Sequence, residues 1–106
     1  MNVNDILKLS PIATERLGKM IISQVSNNKN PLKEIVPRTS YIEYYFNDGT
    51  FIELAVVRDF NDDMNPTHVV LNEYVKVKGH HGFTSRYNRL YTERFEVSQK
   101  SERFFE

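Results

Sequence analysis

The dipeptide Asp48-Gly49 constrains the fold of this chain more than any other feature, because a sheet-forming run flanks it on each side. The two runs, Tyr41–Phe46 and residues 51–57, are rich in aromatic and β-branched side chains, which favour strands. Asp-Gly is a preferred pair for the two-residue type I′ turn of a β-hairpin. The sequence therefore predicts an antiparallel hairpin with Asp48-Gly49 as its loop.

A two-residue loop would also set the register of this hairpin, with Phe46 opposite Phe51 and Tyr45 opposite Ile52. In that register one face surrounds Glu43 with apolar side chains, and we expect this face to meet the helices; it contains Tyr41, Tyr45, Ile52, Leu54 and Val56. The other face would stay open, and tyrosine is enriched in protein interfaces. The candidate protein interface on that face consists of Tyr44, Phe46 and Phe51.

The first 30 residues predict helices. Ser10-Pro11 is a typical start signal, because a serine side chain caps free backbone amides and proline suits the first helical position. Apolar side chains then recur at helical spacing, and they are Ala13, Leu17, Met20, Ile21 and Val25. The pattern predicts that this helix ends within residues 26–30. It also predicts a shorter helix over residues 5–9 capped by Asn4, and a further helical turn from Pro31 that ends by Pro37.

The remaining segments complete an α+β fold in a single domain of residues 1–106, with an N-terminal helical segment packed on a small antiparallel β-sheet. We expect residues 1–30 to be helical, residues 41–98 to form mainly a meander of three to five strands, and residues 99–106 to be a tail. Residues 67–78 alternate as a strand, and residues 59–66 and 79–82 have loop composition. Residues 83–98 fit either a strand or a helix; we favour a strand, with a closing helix over residues 84–98 as the alternative.

Composition argues against several classes of function. The chain has no cysteine, which excludes disulfides and thiolate chemistry, and it has no phosphate-binding glycine loop or nucleophile motif. The acidic residues 59–66 lack the glycine and glutamate of a calcium loop, and adjacent His80 and His81 point apart in an extended chain. We therefore expect no enzyme activity, no cofactor and no metal. The N-terminus lacks a signal-peptide pattern and no stretch could span a bilayer, so the expected location is the cytoplasm.

One stretch combines basic and aromatic residues in the way that single-strand nucleic-acid binders do. Its candidate surface residues are Lys76, Lys78, Arg86, Tyr87, Arg89, Tyr91 and Arg94. In a regular strand Tyr87, Arg89 and Tyr91 would share one face. The sequence pI of about 6.8 is below the range typical of nucleic-acid binders.

Two functions from different classes follow from these observations. The favoured one is a non-catalytic, protein-binding regulatory module whose partner is a second copy or a larger protein. An asparagine- and tyrosine-rich chain without cysteine or tryptophan is also typical of small accessory proteins of phages and mobile elements, which favours an inhibitor or modulator of a larger host protein. The alternative is nucleic-acid binding through residues 76–94.

Overall fold

A computed structural model describes residues 3–59, 65–78 and 85–97, and it confirms the α+β class. Two α-helices and a short π-helix come first along the chain: α1 (Val3–Leu9), α2 (Pro11–Ile22) and the π-helix (Ser23–Asn27). Five strands follow: β1 (Leu32–Pro37), β2 (Tyr41–Phe46), β3 (Phe51–Asp59), β4 (Asn65–Lys78) and β5 (Ser85–Glu96). Every pair of neighbours is antiparallel and the sheet order is β1-β2-β3-β4-β5, which is the predicted meander.

The start of α2 confirms the capping prediction. The Ser10 side-chain oxygen accepts a hydrogen bond from the Ala13 backbone N–H at 3.2 Å, and Pro11 is the first helical residue. The helical part ends at Asn27, within the predicted range, after a π-helical turn in which the Asn28 N–H bonds the Ser23 carbonyl at 3.0 Å. The first helix begins at Val3, so the predicted cap at Asn4 is wrong because that residue already lies inside the helix.

The hairpin of β2 and β3 is confirmed, but its turn has three loop residues instead of two. The Gly49 N–H donates to the Phe46 carbonyl at 3.0 Å, and Gly49 alone in the turn has a positive φ, of 91°. This is the pattern of a type I turn followed by a glycine bulge. The Asp48 carboxylate accepts a hydrogen bond from the Thr50 N–H at 2.8 Å and helps to hold the loop.

The longer loop moves the register by one residue, so that Tyr45 lies opposite Phe51 and Tyr44 opposite Ile52. A shift of one residue exchanges the two faces of a strand. The predicted helix-facing side of β3 is therefore confirmed, since Ile52 and Leu54 meet the helices. The predicted helix-facing side of β2 is wrong. The β2 side chains that face the helices are Ile42, Tyr44 and Phe46.

The core lies between the helices and one face of the sheet. The helices contribute Ile6, Leu9, Ala13 and Leu17 to this core. The sheet contributes Leu32 of β1, which is partly buried, and a set of buried side chains from the other strands, which are Ile42, Tyr44, Phe46, Ile52, Leu54, Val69, Leu71 and Phe95. Burial of this kind contributes about 25 cal/mol per Å² of apolar surface and supplies most of the stability of the fold. The part of the chain that the structure describes places no layer over the opposite face, which we call the open face.

Two predicted segments change class in the structure. Residues 32–37, expected as a helical turn, form edge strand β1 along β2, where the Asn47 N–H also bonds the Pro31 carbonyl at 3.0 Å. The ambiguous segment is strand β5, as favoured, and the helical alternative is wrong. The ends of the predicted 59–66 loop belong to β3 and β4, while residues 60–64, the 79–82 loop and the 99–106 tail lie outside the described residues.

Both edge strands are irregular. An extra residue, Lys33, bulges from β1 opposite β2, and an extra residue, Leu90, bulges from β5 opposite β4. Bulges at sheet edges, with the charged side chains of these strands, interrupt the flat row of backbone groups that another strand would pair with. The two edges of the sheet are therefore poorly suited to pairing with a further strand.

Candidate functional site

The open face carries a row of aromatic rings that crosses three strands. Strand register places Tyr45, Phe51 and Tyr74 side by side, with Glu34 at the β1 end of the row and Arg89 at the β5 end. The Phe51 ring stacks on Tyr45 at 4.9 Å and on Tyr74 at 4.8 Å between ring centroids. These distances match the spacing between neighbouring strands, so the stack follows directly from the register.

Stacking determines which parts of the rings a partner can contact. Because Phe51 has a ring against each of its faces and Tyr87 packs edge-on against it at 4.9 Å, its exposed fraction falls to 8%. The tyrosines keep solvent contact, and Tyr87 is 43% exposed. The row therefore presents tyrosine hydroxyls and ring edges to a partner, with the central ring faces already covered.

The predicted protein interface is divided between the two faces of the sheet. Tyr44 and Phe46 are 6% and 1% exposed and belong to the core beneath the helices, so their side chains form no surface. Phe51 lies on the open face at the centre of the aromatic row. The error comes from the hairpin register, because the one-residue shift exchanges the faces of β2 but not of β3.

The predicted basic and aromatic surface is also divided. Lys76, Tyr87 and Arg89 lie together at the β4–β5 side of the open face, since Lys76 pairs with Tyr87 and Arg89 pairs with Tyr74. Tyr91 lies on the helix face instead, because the bulge at Leu90 shifts the alternation of β5 by one residue. The side chains of Lys78 and Arg86 lie outside the described residues.

Arg94 is on the open face but belongs to a separate cluster. It pairs with Val70 in the strand register, and its guanidinium lies 3.3 Å from the His68 Nδ1 atom. Asn72 and Thr92 separate this position from Arg89 along the two strands. Of the seven predicted residues, the structure thus brings three together.

Tyr91 has a structural contact on the helix face. The Arg16 guanidinium of α2 donates to the Glu93 carboxylate at 2.7 Å and to the Tyr91 hydroxyl at 3.2 Å, and the Tyr91 hydroxyl also bonds Glu93. The hydrogen bond to Glu93 is the main cause that raises the pKa of Tyr91. This cluster attaches α2 to β5, so Tyr91 stabilises the fold and does not contribute to the open face.

Beside the aromatic row lies a polar row that sequence reasoning missed. Glu43 of β2 is directly opposite Glu53 of β3, and Asn72 of β4 is opposite Glu53. Arg38 reaches Glu43 with a 3.3 Å ion pair, and the Asn72 amide donates to Glu53 at 3.0 Å. The signal in the sequence was Glu43 alone among apolar residues of β2, but only the register shows that Glu53 and Asn72 join it.

The two rows are connected by Tyr45, whose hydroxyl donates to Glu43 at 3.1 Å. Burial raises the pKa of Tyr45 to about 12, with further contributions from this hydrogen bond and from the nearby Glu43 charge. The hydroxyl therefore stays protonated and remains a donor to Glu43 throughout the physiological range.

The described residues contain no group of three or more histidine, cysteine, aspartate or glutamate side chains placed to hold a metal ion. None of the described helices is long and apolar enough to cross a membrane. Comparisons with family models, with curated proteins and with solved structures give no match.

Proposed function

We propose that this protein is a non-catalytic, protein-binding module that regulates or inhibits its partner through the open face. The stacked row of Tyr45, Phe51 and Tyr74 carries the proposal. An aromatic cluster on a face without a covering layer in the described chain is the kind of surface that protein partners bury, because tyrosine and arginine are enriched in interface centres. Tyr87 and Arg89 extend this surface to the edge of the sheet.

The geometry favours a protein over a single-stranded nucleic acid. Bases bind by stacking on exposed ring faces, and the stack already covers both faces of Phe51. The basic side chains are also separated from one another. Arg94 lies beside His68, whereas Lys76 and Arg89 lie at the aromatic row. A partner that uses hydroxyls, ring edges and a few charges matches a protein surface better.

The first experiment asks whether binding depends on the open face. The immobilised chain is compared in an extract of its source cells with two open-face variants, Tyr87→Ala and Arg89→Gln, and with two helix-side controls. The controls are Ile12→Ala, at a residue that is 68% exposed, and Lys8→Gln, which removes the same charge as Arg89→Gln.

We expect a protein that the parent and both controls retain in equal amounts, and that the open-face variants retain at least about tenfold less, because an interface hot spot contributes about 2 kcal/mol or more. Equal recovery by all five chains would contradict the proposal. If only the helix-side controls retained less of the protein, the binding surface would lie on the helices instead.

The second experiment tests the alternative by fluorescence anisotropy with labelled single-stranded RNA and DNA at low and moderate salt. A protein-binding module should show no binding even at low salt, where electrostatic attraction is strongest. Micromolar binding that falls steeply with salt would overturn the proposal, because release of counterions from phosphates has that signature.

A further inference from the structure

The polar row of the open face contains two features that are unfavourable in the isolated chain. Glu43 and Glu53 are directly opposite each other on neighbouring strands, and like charges in that position destabilise a sheet. The Glu43 carboxylate is not simply solvated, since its side chain is only 13% exposed. Arg38 supplies a positive charge to Glu43 from the rim, where its own side chain is 53% exposed.

Asn72 provides the second, independent feature. Its residue is 8% exposed, and its amide nitrogen is directed at Glu53. Its Oδ1 atom is buried and has no hydrogen-bond donor within the part of the chain that the structure describes. A buried acceptor without a donor is uncommon in native proteins, and it points to a group that is added when the protein acts.

We propose that Glu43, Glu53 and Asn72 form a receptor for the guanidinium group of an arginine side chain on the partner protein. This inference rests on the proposed function and specifies the chemistry of the partner. The incoming group donates to the Glu53 carboxylate and, after adjustment of the exposed side chains around it, to Asn72 Oδ1. Its charge relieves the repulsion between Glu53 and Glu43.

Several observations favour a guanidinium over other cations. A guanidinium has several donors in one plane, which suits acceptors that lie on three neighbouring strands, namely Glu43, Glu53 and Asn72. Arg38 already places one guanidinium nitrogen 3.3 Å from Glu43, so the site accepts this chemistry at its rim. Calcium needs six to eight oxygen ligands, roughly, whereas this site has two carboxylates that are already hydrogen-bonded and one amide oxygen.

The experiment follows the amide signals of the ¹⁵N-labelled chain by NMR during titration with two peptides. One is Gly-Tyr-Arg-Tyr-Gly, and the other has citrulline, a neutral analogue of the same shape, in place of arginine. We expect the arginine peptide to shift the Asn72 side-chain signal and the Glu53 backbone signal saturably, and the citrulline peptide to bind at least tenfold more weakly. Because both titrations use the parent chain, folding of a variant does not affect this comparison.

Two variants with the same change of charge complete the test. Glu53→Gln should weaken binding of the arginine peptide about tenfold and raise the Tm of the free chain, since it removes the opposed carboxylate. Glu15→Gln changes a carboxylate on α2 that is 71% exposed and should leave binding unchanged. A structural role alone would lower the Tm of the Glu53 variant.

Equal binding of the arginine and citrulline peptides would overturn the inference. So would the same shifts on addition of Ca²⁺ or Mg²⁺ alone, since the site would then hold a metal. Either result leaves the proposed function standing if the Tyr87 and Arg89 variants still lose the partner. Loss of face-dependent capture would instead remove the proposed function itself.

Discussion

Asn30 connects three parts of the fold through its buried side chain, and replacing it tests how much this connection stabilises the protein. Asn30 is 7% exposed. Its amide nitrogen donates to the Gln24 side chain at 2.8 Å, and its Oδ1 atom accepts from the Asp48 backbone N–H at 3.2 Å. Gln24 in turn donates to Glu73 of β4 at 2.9 Å, so the π-helix, the hairpin turn and the sheet share one network.

The expected cost of Asn30→Ala can be worked out from these contacts. Each of the two hydrogen bonds contributes about 1 kcal/mol, and the groups left behind on Gln24 and Asp48 are partly accessible to water, so the further penalty is small. The free energy of unfolding should therefore fall by about 2 kcal/mol. For a domain of this size that corresponds to a decrease in Tm of about 10 °C.

The measurement is urea unfolding followed by circular dichroism, with a thermal scan of the same samples. The matched control is Asn27→Ala at the exposed end of the π-helix, which should change the free energy of unfolding by less than about 0.5 kcal/mol. An Asn30→Ala protein as stable as the Asn27→Ala protein would refute the assignment of a stabilising network to this side chain.

Three further predictions concern the turn, the aromatic row and its ionisation. Gly49→Ala should lower the free energy of unfolding by about 1–2 kcal/mol, because φ at this residue is 91° and the added carbon would lie 3.0 Å from the Lys76 side chain. Gly18→Ala has open space in α2 and should raise the free energy of unfolding by up to about 1 kcal/mol. Paired urea titrations of the two variants check both values. Phe51→Ala should lower the free energy of unfolding by about 3 kcal/mol, because it removes apolar burial and two ring stacks. A decrease below about 1 kcal/mol in the same assay would contradict the stacked row. Burial raises the pKa of Tyr45 to about 12, so ionisation of this hydroxyl opposes folding. The contribution of the protonated hydroxyl to the free energy of unfolding is complete below the unfolded pKa of about 10 and declines as the pH rises through 12. Tyr45→Phe should reduce that decline between pH 10 and 12, and an unchanged profile would show that other groups cause it.

Local signals in the sequence were sufficient for the elements that depend on local chemistry. Ser10 and Pro11 located the start of α2, and Asp48-Gly49 located the hairpin, because caps and turns are determined within a few residues. The register needed more information, since the same dipeptide suits a two-residue loop and a three-residue loop with a glycine bulge. This ambiguity put Tyr44 and Phe46 on the wrong face.

Other elements depend on contacts that the sequence does not reveal. Strand β1 follows Pro31 directly and ends at Pro37, and it has little strand character. It is a strand because β2 offers it a free edge. The polar row is a property of three aligned strands, so Glu43 alone could not indicate Glu53 and Asn72. The bulge at Leu90 likewise depends on how β5 fits β4, and it separated Tyr91 from Tyr87.

That bulge makes the length of β5 as important as its composition. Residues before Leu90 contribute Tyr87 and Arg89 to the open face, and residues after it contribute Phe95 to the core and Glu93 to the contact with α2. If β5 kept all its residues but alternated strictly, without the bulge, Tyr87 and Arg89 would lie on the helix face with Tyr91. In related chains, a one-residue deletion should therefore be tolerated at the bulge but should be rare elsewhere in β5.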